Sequence, residues 1–454
     1  MAQVFLFNHA LLPNGWANDV HVVVEGNMIV SVQPDAAELC DEPVRGIAIP
    51  GLANLHCHAF QRGMAGLAER RGTQSDSFWT WREVMYRFLG RLTPDDVEAI
   101  AAFAYMQMLE RGFTALAEFH YLHHDIDGTP YADLGETAGR LTAAASATGI
   151  GLTLLPSFYA FGGFGGQPPT DGQRRFLNDP DRFLRLVARC REIAAAVPGT
   201  QVGIAPHSLR AVTPETLKQV VASYGEGPIH IHIAEQEKEV ADCLAWSGRR
   251  PLTWLCDEMP VDDRWCIIHA THLEESETLR LAASAAVAGL CPLTEASLGD
   301  GIFSGARYLA AGGRFGIGTD SNIDIDAAAE LRQLEYSQRL AQRARNVMTT
   351  QDGESTGRRL YREALAGGAQ ALGRAENAIA PGRRADIVVL DTDHPDLACV
   401  DGDRWLDAWI FVAGRAAVQT VIAGGDLVVT DGRHRDRDAI TARYTRVLKG
   451  LTTD

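Results

Sequence analysis

The sequence predicts an α/β protein: a (β/α)8 TIM-type barrel joined to a small β-sandwich built from both chain ends. Three observations point there. Apolar runs of strand length alternate with longer helical patterns through the middle of the chain. Both ends carry short strand-like segments punctuated by turns, and the residues with metal-binding chemistry close the apolar runs.

At the N-terminal end, 4–7, 20–24 and 28–32 read as strands, the last two joined by Glu25-Gly26-Asn27. Eight apolar runs follow, at 51–58, 113–119, 150–157, 201–206, 229–234, 265–270, 287–291 and 315–319. Helices between them include 95–111, entered through Thr93-Pro94, and 214–224, entered through Thr213. Each pairs a hydroxyl cap with a proline whose missing N–H costs nothing in a first turn. The glycine-rich 161–166 lacks the Lys-Ser/Thr ending of a phosphate loop and is expected to be a flexible active-site loop. After Pro381-Gly382-Arg383-Arg384, strand texture returns at 385–390, 418–422 and 427–430. Neither terminal set can bury its apolar faces alone, so the two are expected to pair. The expected boundaries are 1–50 with 381–435 for the sandwich, 51–380 for the barrel and 436–454 for a helical tail.

With 454 residues, 46% hydrophobic and 22% charged, the chain has the composition of an ordinary globular protein with room for a large core. A net charge of -16 argues against nucleic acid and anionic membranes as partners. No apolar span approaches membrane length and no basic-then-apolar leader opens the chain, so a cytoplasmic location is expected. The eight cysteines are dispersed without a Cys-x-x-Cys pair, unlike a disulfide framework or a zinc knuckle.

His56 and His58, one residue apart, leave a strand on the same face, which can hold a metal. Cys57 between them points the other way, into packing. His232, His269 and Asp320 each end a later apolar run, so the barrel would gather all five at its C-terminal strand ends, where such barrels build active sites. Imidazoles and a carboxylate so placed suggest a catalytic zinc site with three or four protein ligands and an open water position.

This constellation resembles the amidohydrolase superfamily, over essentially the whole chain. His232-Ile-Ala-Glu235 is similar to the His-x-x-Glu of its mononuclear deaminases, and 291–300 with Gly318-Thr-Asp320-Ser321 belongs to the same pattern. Two longer strings, 56–66 and 76–86, resemble the formimidoylglutamate deiminases within that superfamily. The resemblance implies zinc held by His56, His58, His232 and Asp320. Glu235 would carry protons between water, substrate nitrogen and leaving group. His269 would orient the hydroxide and stabilise the tetrahedral intermediate, and Asp320 would take the proton from the water. Related sites that bridge two metals use a carbamoylated lysine at the fourth strand. Lysine occurs here only at 218, 238 and 449 and that strand ends Ala205-Pro206-His207-Ser208, so one zinc ion per chain is expected.

The implied reaction converts N-formimidoyl-L-glutamate and water to N-formyl-L-glutamate and ammonia, in histidine degradation. Two carboxylates on the substrate call for forked cations. Arg82 and Arg210 are the candidates, each with a surface role as the alternative; Gln61, Tyr121 and His207 stand where they could hydrogen-bond the substrate. The rival activity is deamination or dechlorination of an aromatic ring such as guanine, which gives two arginines no anion to neutralise. A metal-dependent binding protein without turnover is a second rival, and it would not need Glu235, His269 and Asp320 together. His230 is expected in the core or bonded to a ligand, His120, His123, His124 and His272 in structural roles, and Trp79 and Trp81 in loop packing. The expected assembly is a homodimer.

Overall fold

The computed structural model describes residues 2–36, 44–72 and 75–452. Cys40, parts of the expected N-terminal segment and the last two residues of the tail lie outside them. Strands β1 (Ala2–Leu12), β2 (Gly15–Glu25), β3 (Met28–Gln33) and β4 (Val44–Pro50) open the chain. The barrel strands are β5 (Leu52–Cys57), β6 (Phe113–His120), β7 (Gly151–Phe158), β8 (Thr200–Val202) with β9 (Ala205–Pro206), β10 (Ile229–Ile233), β11 (Trp265–His269), β12 (Val287–Leu290) and β13 (Arg314–Ile317). Four more close the chain: β14 (Ile387–Leu390), β15 (Val418–Ala423), β16 (Asp426–Thr430) and β17 (Arg433–His434).

The two ends meet in one eight-stranded sheet, in the order β17-β16-β15-β14-β4-β1-β2-β3. The joint is β4, parallel to β1 and antiparallel to β14. The sheet folds over on itself: Ile29 N–H donates to Arg383 O at 2.8 Å and Ala385 N–H to Asn27 O at 2.8 Å, bringing the β2–β3 turn back to the start of β14. Gly425 needs its missing side chain there, because a Cβ would stand 2.3 Å from Gly26 O. The sandwich therefore encloses its own core, with Phe7, Val22, Val24, Ile29, Val389 and Ile422 buried together. Those residues alternate along their strands, as one buried face requires.

The barrel strands run parallel in two hydrogen-bonded groups, β5 to β9 and β10 to β13. The fourth position, expected as one strand over 201–206, is broken between β8 and β9. Gly203 sits in the break, where a Cβ would meet the Leu155 side chain at 2.4 Å and Pro228 O at 2.7 Å. Bridges Ile204 to Ile229 and Ser208 to His232 join the two groups on one side. On the other, His58 N–H donates to Asp320 O at 3.0 Å and Asp320 N–H to His56 O at 2.9 Å. Both closing seams thus run through residues singled out as site candidates.

The helix Pro94–Leu109 starts where its cap predicts: Thr93 accepts from Asp96 N–H and Asp96 bonds back to Thr93 N–H. Replacing Thr93 by Ala would cost about 1 kcal/mol. The C-terminal helix Arg437–Thr452 packs on this helix, with Tyr444 stacked on Phe103 at 3.9 Å. An element the sequence reading treats as loop is a helix, Phe78–Leu89, capped by Ser77 and Thr80. Its Phe78, Trp81, Arg82 and Met85 face the C-terminal mouth of the barrel.

Candidate metal centre and active site

Strand ends bring the site together. His56 comes from β5 and His58 directly follows it, His232 comes from β10 and His269 from β11, while Asp320 lies three residues past β13. Ala234, His269 and Asp320 have φ of 54°, 71° and 42°, a region non-glycine residues avoid. The backbone bends at these points and turns the side chains inward, at a cost the surrounding structure sustains. A buried lattice holds the β5–β13 seam: Asn54 Nδ2–H donates to Thr319 Oγ1 at 2.7 Å, and Asn322 Nδ2–H donates to His58 O and Asp320 O, both at 3.0 Å.

The ligand atoms gather in two overlapping groups, His56 with His58 and Asp320, and His56 with His232 and His269. His56 Nε2 is 3.2 Å from His232 Nε2, and Asp320 Oδ1 is 3.4 Å from Nε2 of both His56 and His58. His58 Nδ1 faces Phe119 O at 2.8 Å and His232 Nδ1 faces His207 O at 2.8 Å. A carbonyl only accepts, so each Nδ1 carries the proton and each Nε2 offers a bare lone pair. One proton on His56 Nε2 could satisfy His232 or Asp320 but not both. A cation beside His56 would satisfy it together with its neighbours, so the donor set fits a metal. Burial holds His56, His58 and His232 below the ordinary histidine value, which keeps them neutral and able to ligate.

Glu235, just past β10, stands 3.8 Å from His269 Nε2. Burial pushes its carboxyl up to about 7. Burial works against the charged form of His269, but Glu235, Glu295 and Asp320 outweigh it and lift the imidazole to about 10. The Nδ1 of His269 faces Glu295 Oε1 at 3.3 Å, which turns Nε2 toward the site. Asp300, in the next turn, is raised to about 9, first by burial and then by Glu235. The string 291–300 contains both carboxylates, but only the pairing of β11 with β12, which 291–300 follows, brings Glu295 to His269.

One cavity is lined by His58, His232, His269, Glu235 and Asp320 together with Gln61, Arg82, Tyr121, His207 and Arg210; His56 lies fully buried beneath. Every sequence candidate is therefore assembled in one place. Gln61 Nε2–H donates to the Tyr121 hydroxyl at 3.0 Å, leaving Gln61 Oε1 without a partner. Arg82 Nε and Arg210 Nε are likewise buried and unpartnered. Sequence reasoning missed Tyr86, Tyr159, Phe176 and Trp81, which also line the cavity. Trp81 corrects the loop-packing expectation, since the Ser77–Thr80 cap starts a helix there. Gly162, in the glycine-rich segment, reaches the same cavity. Outside it, His230 bonds Ala371 O, His123 bonds Ser157 O, His124 bonds Leu177 O and His272 bonds Asp300 O. His120 faces Thr137 Oγ1, and Cys57 packs against Asn322 on the far side of β5.

The amidohydrolase family profile matches residues 47–428. The chain is 51% identical over 453 residues to a formimidoylglutamate deiminase of Pseudomonas aeruginosa, covering 99% of this chain and all of that one. A crystal structure of an amidohydrolase from Brucella melitensis superposes with a TM-score of 0.96 at 51% identity, over 99% of this chain and 100% of that one. An adenosine deaminase from Xanthomonas campestris, solved with bound zinc, superposes at 0.81 with 22% identity over 99% and 98%, a likeness of fold.

Proposed function

The chain belongs to the amidohydrolase family, and from that premise we propose that it hydrolyses N-formimidoyl-L-glutamate to N-formyl-L-glutamate and ammonia, a step of histidine degradation. The observation that carries the reading is the pair Arg82 and Arg210, with free buried donors, in the same cavity as the histidine–aspartate cluster. A neutral aromatic ring would leave both guanidiniums without an anion; a substrate with two carboxylates uses both. Near-complete coverage of a deiminase at 51% identity supports the same conclusion.

One zinc ion per chain, held by His56, His58, His232 and Asp320, is our reading of the cluster. When bound, zinc supplies a water nucleophile that is deprotonated near neutral pH. Lys218 pairs with Glu258 and Lys238 with Asp242, and neither belongs to the histidine–aspartate cluster, which supports a single ion. Asp320 accepts the proton of the attacking water. Arg82 and Arg210 hold the carboxylates, and Gln61, Tyr121 and His207 hydrogen-bond the substrate between them and the metal ligands. His269, protonated through neutral pH, donates to the oxygen that enters at the formimino carbon. Glu235, poised near 7, passes a proton to the terminal nitrogen, which leaves as ammonia.

Among the described residues no helix is long and apolar enough to cross a membrane; a cytoplasmic homodimer completes the proposal. The test is ammonia release from N-formimidoyl-L-glutamate set beside guanine and a chlorotriazine. Faster turnover of either ring compound would overturn the assignment.

A further inference from the structure

Trp79 is absent from the chemistry above, yet three cations gather round its indole. Arg82 Cζ lies 4.6 Å from the ring centroid, Arg210 Cζ 5.7 Å and Lys238 Nζ 5.8 Å. The two arginines come from different elements, Arg82 one helical turn beyond Trp79 and Arg210 from the loop after β9. Among the described residues neither guanidinium has a carboxylate within 4.0 Å, and the buried Nε of each has no hydrogen-bond partner. Lys238 differs, being paired with Asp242. Two like charges brought to one cavity repel, and a half-buried cation is costly unless something faces it. The electron-rich indole face, with the Tyr86 ring 5.5 Å from Arg82, supplies that partner without using hydrogen-bond donors.

The kind of partner matters. A carboxylate beside Arg82 or Arg210 would occupy the donor fork and compete with any anionic ligand. An aromatic face leaves the N–H groups free, and the carboxylates that act on Arg210, those of Glu239 and Glu235, do so from beyond ion-pair distance. We infer that Trp79 is a positioning residue that holds Arg82 and Arg210 together as a preformed receptor for a dicarboxylate, and so sets the preference for two-carboxylate over one-carboxylate ligands. The inference rests on the dicarboxylate reading of the cavity, but it concerns binding and can be measured without turnover.

The experiment compares the zinc-loaded parent with Trp79→Phe and Trp79→Leu. Kd is read by calorimetry for N-formyl-L-glutamate, with two carboxylates, and N-formylglycine, with one; kcat and KM follow for N-formimidoyl-L-glutamate. Trp79→Leu should raise Kd and KM for the glutamate compounds about tenfold, the scale of two lost cation–π contacts, with kcat within about twofold. Trp79→Phe, with a smaller quadrupole, should fall between. N-Formylglycine should weaken clearly less, so that the preference for the dicarboxylate shrinks. Equal weakening of both ligands, a Phe variant no better than Leu, or a fall in kcat at constant KM would each overturn the inference. Should the parent bind N-formyl-L-glutamate yet release no ammonia from the formimino compound, the proposed reaction falls and the Trp79 assignment is still decided by the binding series.

Discussion

Replacing Glu235 by Gln keeps the size of the side chain and removes its titratable proton. Burial pushes Glu235 up to about 7, so near neutral pH the carboxyl is divided between its two forms and can accept and deliver a proton. Turnover of Glu235→Gln should fall by about 100-fold or more, in kcat rather than KM. Zinc content should match the parent, because Glu235 lies outside the converging histidine–aspartate cluster. The same substitution has a stability signature in metal-free protein. An ordinary glutamate titrates near 4.5, whereas folded Glu235 keeps its proton to about 7. Folding therefore takes up a proton between those values. The cost of burying the ionised group is absent below 4.5, grows as pH rises and is complete above 7. At about 1.36 kcal/mol per pH unit the gap is worth about 3 kcal/mol. Chelated Glu235→Gln should be more stable than the parent by about that amount at about pH 8 and level with it at about pH 4. Ammonia-release kinetics, metal analysis and urea unfolding at the two pH values check the set. A variant nearly as fast as the parent would refute the proton-shuttle role, and an equal stability difference at both pH values would refute its titration.

Three further outcomes follow from the same geometry. His56→Ala and His232→Ala should each lose metal and activity together, and the parent should contain about one zinc per chain; two tightly held ions in active protein would contradict the single-ion reading. Arg82→Met and Arg210→Met should each cost about 2 to 4 kcal/mol in kcat/KM with normal zinc content, with Lys restoring only part; parental kcat/KM in both would place the carboxylates elsewhere. Product analysis by NMR with labelled substrate should show N-formylglutamate and ammonia, because arginines that anchor the carboxylates hold the glutamate nitrogen away from Glu235; formamide and free glutamate as main products would reverse that orientation.

The clustering of the proposed metal ligands was legible in sequence for a physical reason. A His-x-His pair on a strand shares a face by geometry alone, and a parallel barrel forces every strand end to one mouth. The four proposed ligands therefore needed only the right strand count. The fourth strand was legible as a position but not as a break, because Gly203 yields to crowding from Leu155 and Pro228, which are remote in sequence or set by packing. Glu295 was visible within a string, but its contact with His269 depends on the pairing of β11 with β12, which precedes 291–300. Trp79 and Trp81 were misplaced because aromatic residues at a helix start look like a loop filler. The missed signal was Ser77 followed three residues later by Thr80, whose hydroxyl accepts from Ser77 N–H at 3.0 Å.

The barrel closes where the proposed ligands sit, and that links folding to metal binding. His56, His58 and Asp320 make the backbone bonds of one seam, and His232 belongs to the bridge that forms the other. Without a cation, the bare nitrogens and the Asp320 oxygen face one another across both seams, so repulsion acts where the two halves of the barrel join. A cation held there would offset that repulsion and stabilise the folded state by RT ln(1 + c/Kd) at free-ion concentration c. The proposed substrate-binding arginines are placed differently: Arg82 is carried on a helix over the mouth and Arg210 on a loop, against aromatic faces rather than in the seams. The proposed ligands thus sit in the seams that close the barrel, and the proposed carboxylate-binding arginines outside them. That division explains how a fold shared with an adenosine deaminase at 22% identity can carry a cavity with two free arginines.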